Sequence, residues 1–267
     1  MTWLKPLGTT GMKVSALGLG TVKLGRNEGV KYPTNFTIPD DKAALALLNQ
    51  ASELGINLID TAPAYGNSEQ RLGSLLNGQR DRWLICSKVG EEFENGQSHY
   101  DFTPEHTAFS VERSLKRLNT DVIDIVLVHS DGTDMQIINE LGTLQALKDL
   151  KSRGLIRAYG MSTKSVQGGL AAINAGCDAV MLTYNLAQQE ESEVLDACGK
   201  NNTGALIKKA FASGHLATSV ADPVQASMDL IFSHPATSSA IIGTISPEHL
   251  RSNVAAARKA LSAMVVN

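Results

Sequence analysis

Residues 55–76 read GINLIDTAPAYGNSEQRLGSLL. GINLI has the apolar content of a short strand, whereas Asp60 and Gly66 are poor strand residues, so the chain leaves its sheet abruptly and enters a loop. SEQRLGSLL then takes up helical spacing. Upstream, DDKAALALLNQASEL (40–54) is a helix pattern that stops at Gly55, where a left-handed cap costs glycine little. The stretch thus contains one unit of strand, loop and helix, entered through a glycine.

The same unit recurs along the chain. Eight apolar runs stand at ALGLG (16–20), NLID (57–60), LICSK (84–88), IDIVLVH (123–129), AYGMS (158–162), AVMLTYN (179–185), ALIKK (205–209) and AIIG (240–243). Helix patterns lie between and after them: residues 40–54, 68–77, 103–118, 134–153, 165–175, 188–200, 224–232 and 246–261. Their starts carry side chains able to accept orphan amide protons, and TPE and SPE put proline at the first helical position. Gly154 and Gly176 repeat the role of Gly55.

Strands with continuous apolar runs, buried on both faces and alternating with helices, predict a closed parallel barrel of α/β class, the (β/α)8 or TIM barrel, which takes about 250 residues. The 267-residue chain is then one domain, residues 1–267. A doubly wound open sheet is the rival. It calls for GxGxxG after the first strand, and GLGTVKLG (18–25) misses that spacing because Lys23 replaces the third glycine. KPLGTTGMKVS (5–15) reads as a short N-terminal β-hairpin that closes the barrel floor.

Near-balanced charge, 24 Lys plus Arg against 27 Asp plus Glu, offers no basic footprint for nucleic acid or an anionic membrane. Cys86, Cys177 and Cys198 are few, odd in number and far apart, which argues against a disulfide framework and for a reducing compartment. No zinc spacing, signal-peptide pattern or long apolar run stands out, so a cytoplasmic protein acting on a small molecule, with no obligate protein partner, is expected.

In such a barrel the C-terminal ends of the strands share one face, so polar residues there meet although distant in sequence. Four fall at these ends: Asp60 and Tyr65 after the second run, Lys88 closing the third and His129 closing the fourth. Singly, each has a plain explanation as a turn, surface or core residue. Together they form a proton donor suited to carbonyl reduction. A tyrosine, with a pKa of about 10, is a poor acid unless its phenolate is stabilised. The Lys88 ammonium lowers that pKa, Asp60 holds the ammonium, and His129 hydrogen-bonds the carbonyl oxygen.

These residues and their surroundings resemble the aldo-keto reductase superfamily, whose tetrad is Asp, Tyr, Lys and His at these strand ends. The likeness runs through GINLIDTAPAYGNSEQRLGSLL, LICSKVG (84–90), SVERSLKRLNTDVIDI (110–125), DIVLVHS (124–130), GLIRAYGMS (154–162) and IIGTISPEHLRSN (241–253). It implies an enzyme that binds extended NADPH, or alternatively NADH, without a Rossmann motif and passes hydride to an aldehyde or ketone. Tyr65 is then the general acid, tuned by Lys88 and Asp60, and Gly66 allows a tight turn beside the cofactor.

The resemblance carries cofactor contact to Gly20, Thr21, Ser162, Asn185, Lys208, Gly243, Thr244, His249 and Asn253. It also exposes departures. Thr163 stands for a common Asn, Met181 for a nicotinamide-binding Gln, and Lys208 for a Tyr that stacks on the nicotinamide ring. Gly243 and His249 replace a Lys and an Arg that many members place around the 2′-phosphate, with Arg251 nearby, and Ser252 replaces a carboxylate near adenine.

SDGTD (130–134) is brief and the sequence stops at MVVN, so an open mouth is expected. EEFENGQSHYDF (91–102) is either a partial wall, through Phe93, His99, Tyr100 and Phe102, or an exposed loop. His106, His215 and His234 are expected at the surface. Two further function classes remain: a nucleotide-binding regulatory protein on the same fold, and a barrel aldolase or isomerase using Lys88 as a Schiff-base amine, which Asp60 opposes by keeping that lysine charged.

Overall fold

The computed structural model describes residues 2–214 and 221–263; His215 and the terminal MVVN lie outside the described residues. An N-terminal pair, β1 (Leu4–Pro6) and β2 (Lys13–Ser15), precedes β3 (Leu17–Gly20), α1 (Val22–Gly25), α2 (Asp41–Glu53), β4 (Leu58–Asp60) and α3 (Ser68–Leu75). Next come β5 (Leu84–Val89), a second pair, β6 (Glu91–Glu94) and β7 (Gln97–Tyr100), then α4 (Pro104–Arg117), β8 (Ile123–His129), α5 (Asp134–Asn139) and α6 (Thr143–Ser152). The rest is β9 (Ile156–Ser162), α7 (Val166–Asn174), β10 (Ala179–Thr183), α8 (Ser192–Asn201), β11 (Gly204–Lys208), α9 (Pro223–Ser233), β12 (Thr237–Ile242) and α10 (Pro247–Ala263).

Strands β3, β4, β5, β8, β9, β10, β11 and β12 pair in that order and close into a parallel barrel, with β12 returning to β3. Closure decides against the open sheet. The expected caps form: Asp40, Thr103, Ser165 and Asp222 side chains accept amide protons at the starts of α2, α4, α7 and α9. Gly55, Gly154 and Gly176 all have positive φ. No helix among the described residues is long and apolar enough to cross a membrane.

Two expectations are corrected. The single helix predicted over 134–153 is broken into α5 and α6, because Gly142 adopts φ +75 and starts a new helix. Segment 91–102 is largely a β-hairpin, β6 pairing with β7 around Asn95-Gly96, both at positive φ. That dipeptide is a strong hairpin signal. Phe102 is buried rather than part of an exposed loop, and Phe93 stacks beneath the Arg26 guanidinium at 3.3 Å.

The apolar residues separate into an outer layer between barrel and helices and an inner plug. The plug includes Leu58, Ile125, Ala158 and Leu206 from barrel strands, and Leu7, Met12 and Val14 from the N-terminal hairpin. The hairpin therefore fills one end of the barrel, as its sequence suggests, and leaves the strand C-termini at the other end free to line a site.

One close approach shapes that site. Gly66 has φ +60, and a Cβ there would stand 2.1 Å from the Gly25 carbonyl oxygen. The loop carrying Tyr65 is thus pressed against the end of α1.

Leu7 is fully buried in the plug. Leu7→Ala is expected to cost about 2–5 kcal/mol, the range for emptying a well-packed leucine site. Equilibrium urea unfolding reads this directly; an unchanged midpoint would show that the hairpin is not part of the core.

Candidate active site

Asp60 ends β4 and Lys88 lies near the end of the neighbouring β5. The Lys88 Nζ donates to Asp60 Oδ1 at 2.6 Å and to the Thr61 carbonyl at 2.9 Å, with its side chain almost completely buried. Burial alone would lower the pKa of the ammonium; the Asp60 carboxylate, by charge and hydrogen bond, together with Tyr65 and Cys86, outweighs it and holds the lysine well above its ordinary value.

The Lys88 Nζ stands 4.8 Å from the centroid of the Tyr65 ring. His129, the last residue of β8, meets that ring edge-on at 6.2 Å and 85°. The structure thus gathers all four residues that the sequence singled out.

The expected acidification of Tyr65 is not what the site does. Burial of the phenol raises its pKa, Lys88 opposes this, and the carboxylates of Asp60 and Glu91 add to the rise, so the net direction is upward. The physical reason is first the burial of the phenol, which disfavours its anion, and then Asp60, whose carboxylate offsets part of the Lys88 field that would stabilise a phenolate. Tyr65 is a neutral hydroxyl here, a proton holder rather than a phenolate.

A cavity of about 550 Å³ extends from these residues across the strand ends. It is lined by Gly20, Asp60, Tyr65, Lys88, His129, Ser162, Met181, Lys208, Gly243, Thr244, His249, Ser252 and Asn253, among others. Two residues expected among the cofactor contacts, Thr21 and Asn185, do not line it. Thr21 donates to the Asp60 carbonyl and accepts from the Ser68 hydroxyl. Asn185 donates to the Lys209 carbonyl and accepts from the amides of Ala187 and Gln188. Both brace loops rather than face the cavity.

Lys208 donates to Ser162 Oγ at 3.0 Å and to the Thr163 carbonyl. Its burial pushes its pKa down to about 8. The cation therefore stands on the very serine expected to anchor a nicotinamide amide.

The chemistry of the lining fits a dinucleotide. Lys23, Lys208 and Lys209 contribute positive charge, and the first two turns of α10 bring His249 and Asn253 to the wall. Val22, Met181 and Ile241 supply apolar surface for a flat ring. A ligand with phosphate groups and a flat ring near Tyr65 matches this distribution.

Three features of the site lacked a sequence signal. Glu91, at the start of β6, places Oε2 2.6 Å from His129 Nδ1. Tyr32 lies in the cavity wall beneath the Lys23 ammonium, 4.1 Å from the ring centroid, and packs on Gly243. The segment after α1 crosses the mouth, with Arg26 against Phe93 and Pro33 against Gly214, so the expected open mouth is partly covered. A Glu after Gly90 and a Tyr in a loop show nothing about direction until the strands are placed. His106 and His234 are half-buried, each within 3.2 Å of a carboxylate oxygen, from Glu92 and Asp196 respectively.

Comparison with known proteins agrees with this geometry. The sequence model of the aldo/keto reductase family matches residues 16–229. The crystal structure of PA4992, a Pseudomonas aeruginosa protein placed among the aldo-keto reductases, superimposes with a TM-score of 0.89 at 53% identity, covering 97% of this chain and 95% of that one. The aldo-keto reductase YhdN of Bacillus subtilis is 32% identical over 79% of this chain and 62% of its own length. The NADH-specific methylglyoxal reductase of Escherichia coli is 30% identical over 79% of this chain and 68% of its own. With a barrel closed in this order and a family match over most of its length, the chain belongs to the aldo/keto reductase family.

Proposed function

We propose that the protein is a reductase that converts a small aldehyde or ketone to an alcohol, with NADPH as the hydride source. The observation that carries this reading is the meeting of Tyr65, Lys88 and His129 at one end of a cavity whose remaining walls suit a dinucleotide. The three cysteines, all buried as free thiols, accord with a cytoplasmic setting.

A bound nicotinamide supplies the hydride that goes to the carbonyl carbon. The residues supply the rest. As negative charge grows on the carbonyl oxygen, the Tyr65 hydroxyl gives it a proton, leaving a phenolate that the adjacent Lys88 ammonium stabilises. Asp60 keeps that ammonium in place and charged. His129 lies across the same space and, when its Nε2 carries a proton, hydrogen-bonds the oxygen, fixing which face of the carbonyl is presented.

Gly20 and Gly243 let the ligand approach backbone closely, and Thr244, His249 and Asn253 line the end expected to hold the adenosine. Lys208 replaces an apolar stacking contact by a cation tied to Ser162. That substitution, with Met181 in place of a nicotinamide-binding Gln, favours the second reading, a nucleotide-binding protein with little turnover.

Tyr65→Phe is expected to lower kcat by about 10² or more, the scale of a general acid, while NADPH binding stays within a few-fold of wild type. Steady-state rates with a panel of aldehydes and ketones, beside a nucleotide fluorescence titration, provide the check. Near-normal turnover in the variant removes the mechanism; tight binding without any turnover in the wild type favours the regulatory reading.

NADPH is expected to bind more tightly than NADH, through its extra phosphate near the α10 N-terminus and His249. Equal affinities would refute that preference, and the similarity to an NADH-specific enzyme makes NADH the proper comparator.

A pH effect follows from Lys208. With its pKa at about 8, it is charged at pH below that value and neutral above it, so its attraction for an anionic nucleotide fades as pH rises. NADPH affinity is expected to fall between about pH 7 and pH 9, and Lys208→Met to flatten that slope. A wild-type slope unchanged in Lys208→Met would assign the effect to another group.

A further inference from the structure

His129 is surrounded by four titratable groups on four different elements: Glu91 on β6, Lys88 on β5, Lys208 on β11, and Tyr65 in the loop after β4. Only Glu91 touches its ring nitrogen directly. Glu91 is nearly buried, and its Oε1 accepts from Ser98 Oγ at 2.6 Å across the β6–β7 hairpin, which pins the carboxylate. Burial works against its ionisation, yet His129, Ser98 and Arg26 together hold its pKa down to about 2. It is a permanent anion at the rim of the site.

The 2.6 Å contact is to Nδ1, which is itself shielded from solvent, and the oxygen lies off the direction of the ring N–H. The χ2 torsion of histidine is soft, so the ring is free to turn its Nδ1 towards the carboxylate. An anion at Nδ1 demands a proton there. In a neutral imidazole the other nitrogen, Nε2, then bears a lone pair, and it becomes a donor only when the ring carries a second proton. A neutral ring of this tautomer cannot donate a hydrogen bond to a carbonyl oxygen. Burial, with Lys88 and Lys208 nearby, opposes the second proton and leaves the imidazole below its ordinary pKa, and Glu91 is the group that favours that proton.

We propose that Glu91 is a positioning residue that fixes the Nδ1–H tautomer of His129 and supports its imidazolium, so that Nε2 donates to the substrate carbonyl oxygen in reduction and accepts from the substrate hydroxyl once that proton is lost. This rests on the reductase reading for the identity of the oxygen. Tyr65 remains the group whose proton is transferred; the Nε2 proton is shared in a hydrogen bond and stays on the ring. Rising pH then shifts the site from carbonyl reduction towards alcohol oxidation.

The test is ring ¹⁵N NMR of histidine-labelled protein without nucleotide, in wild type and Glu91→Gln, with the His129 signals identified by their loss in His129→Gln. Glutamine keeps the size and an acceptor oxygen but removes the charge. Expected are a protonated Nδ1 and a bare Nε2 at alkaline pH in the wild type. Glu91→Gln should lower the proton affinity of His129 by at least about tenfold, the usual effect of removing one adjacent opposite charge. A wild-type ring protonated at Nε2, or a titration unmoved in Glu91→Gln, overturns the proposal.

In steady state, kcat for reduction should fall as pH rises through the depressed pKa of His129, and Glu91→Gln should move that fall to still lower pH, with KM for NADPH unchanged. A uniform loss of kcat at every pH, without movement of the midpoint, would mark Glu91 as structural support only and also overturn it. Because the NMR needs no turnover, the two readings fail separately. A wild type that reduces no carbonyl with either nicotinamide sinks the reductase assignment and the carbonyl half of this proposal, while tautomer and titration still decide what Glu91 does to His129.

Discussion

Closure of the sheet is the constraint on which the rest of the molecule depends. The seam is short: Ala240, Ile241 and Ile242 of β12 stand opposite Leu17, Gly18 and Leu19 of β3. Gly18 leaves room there for neighbouring side chains: a Cβ would lie 2.6 Å from the tip of Ile241 and 3.0 Å from that of Leu58. Once the seam closes, parallel strands have no alternative but to bring all their C-terminal ends to one rim. Asp60, Lys88, His129, Ser162 and Lys208 then face a common cavity although they span much of the chain. The N-terminal hairpin fills the opposite end with Leu7, Met12 and Val14, so the interior is packed below and open above.

What the rim does is governed by how its charges are compensated. An ammonium removed from water costs several kcal/mol unless it is paired and hydrogen-bonded. Lys88 meets that condition through Asp60 and Thr61, and burial of the phenol, helped by the Asp60 carboxylate, keeps Tyr65 neutral beside a cation. Lys208 meets it with a hydroxyl and a carbonyl, weaker partners than a carboxylate, and its proton is held less firmly. Two lysines in one cavity thus have opposite pKa directions for a single reason, the charge of their nearest acceptor.

Around this shared frame the chain has its own rim. The β6–β7 hairpin supplies Glu91 and Ser98 on one side, and the segment after α1 spans the mouth through Arg26, Tyr32 and Pro33. Similar barrels serve different chemistry through such loops, so the relatives named methylglyoxal reductase and aldo-keto reductase define the frame and not the substrate.

Much of this was legible in the amino-acid sequence. Period, caps and glycines located the eight barrel strands within a few residues, because burial on both faces of a parallel strand leaves a continuous apolar run. The four rim residues were legible because Asp60, Lys88 and His129 end such runs and Tyr65 lies in the short loop that follows one. The break at Gly142 and the hairpin at Asn95-Gly96 were written in the sequence too, but in local signals weaker than the flanking helical and polar patterns. The direction of side chains was not legible. Thr21 and Asn185 turn to brace loops, Glu91 reaches His129, Lys208 settles on Ser162, and the burial of Tyr65 reverses the expected shift. By itself the sequence determined the periodic elements and the residues at their ends, which depend on near neighbours in the chain. Only the tertiary structure decided the contacts and charge balance of the site, because these depend on distances between residues brought together by barrel closure.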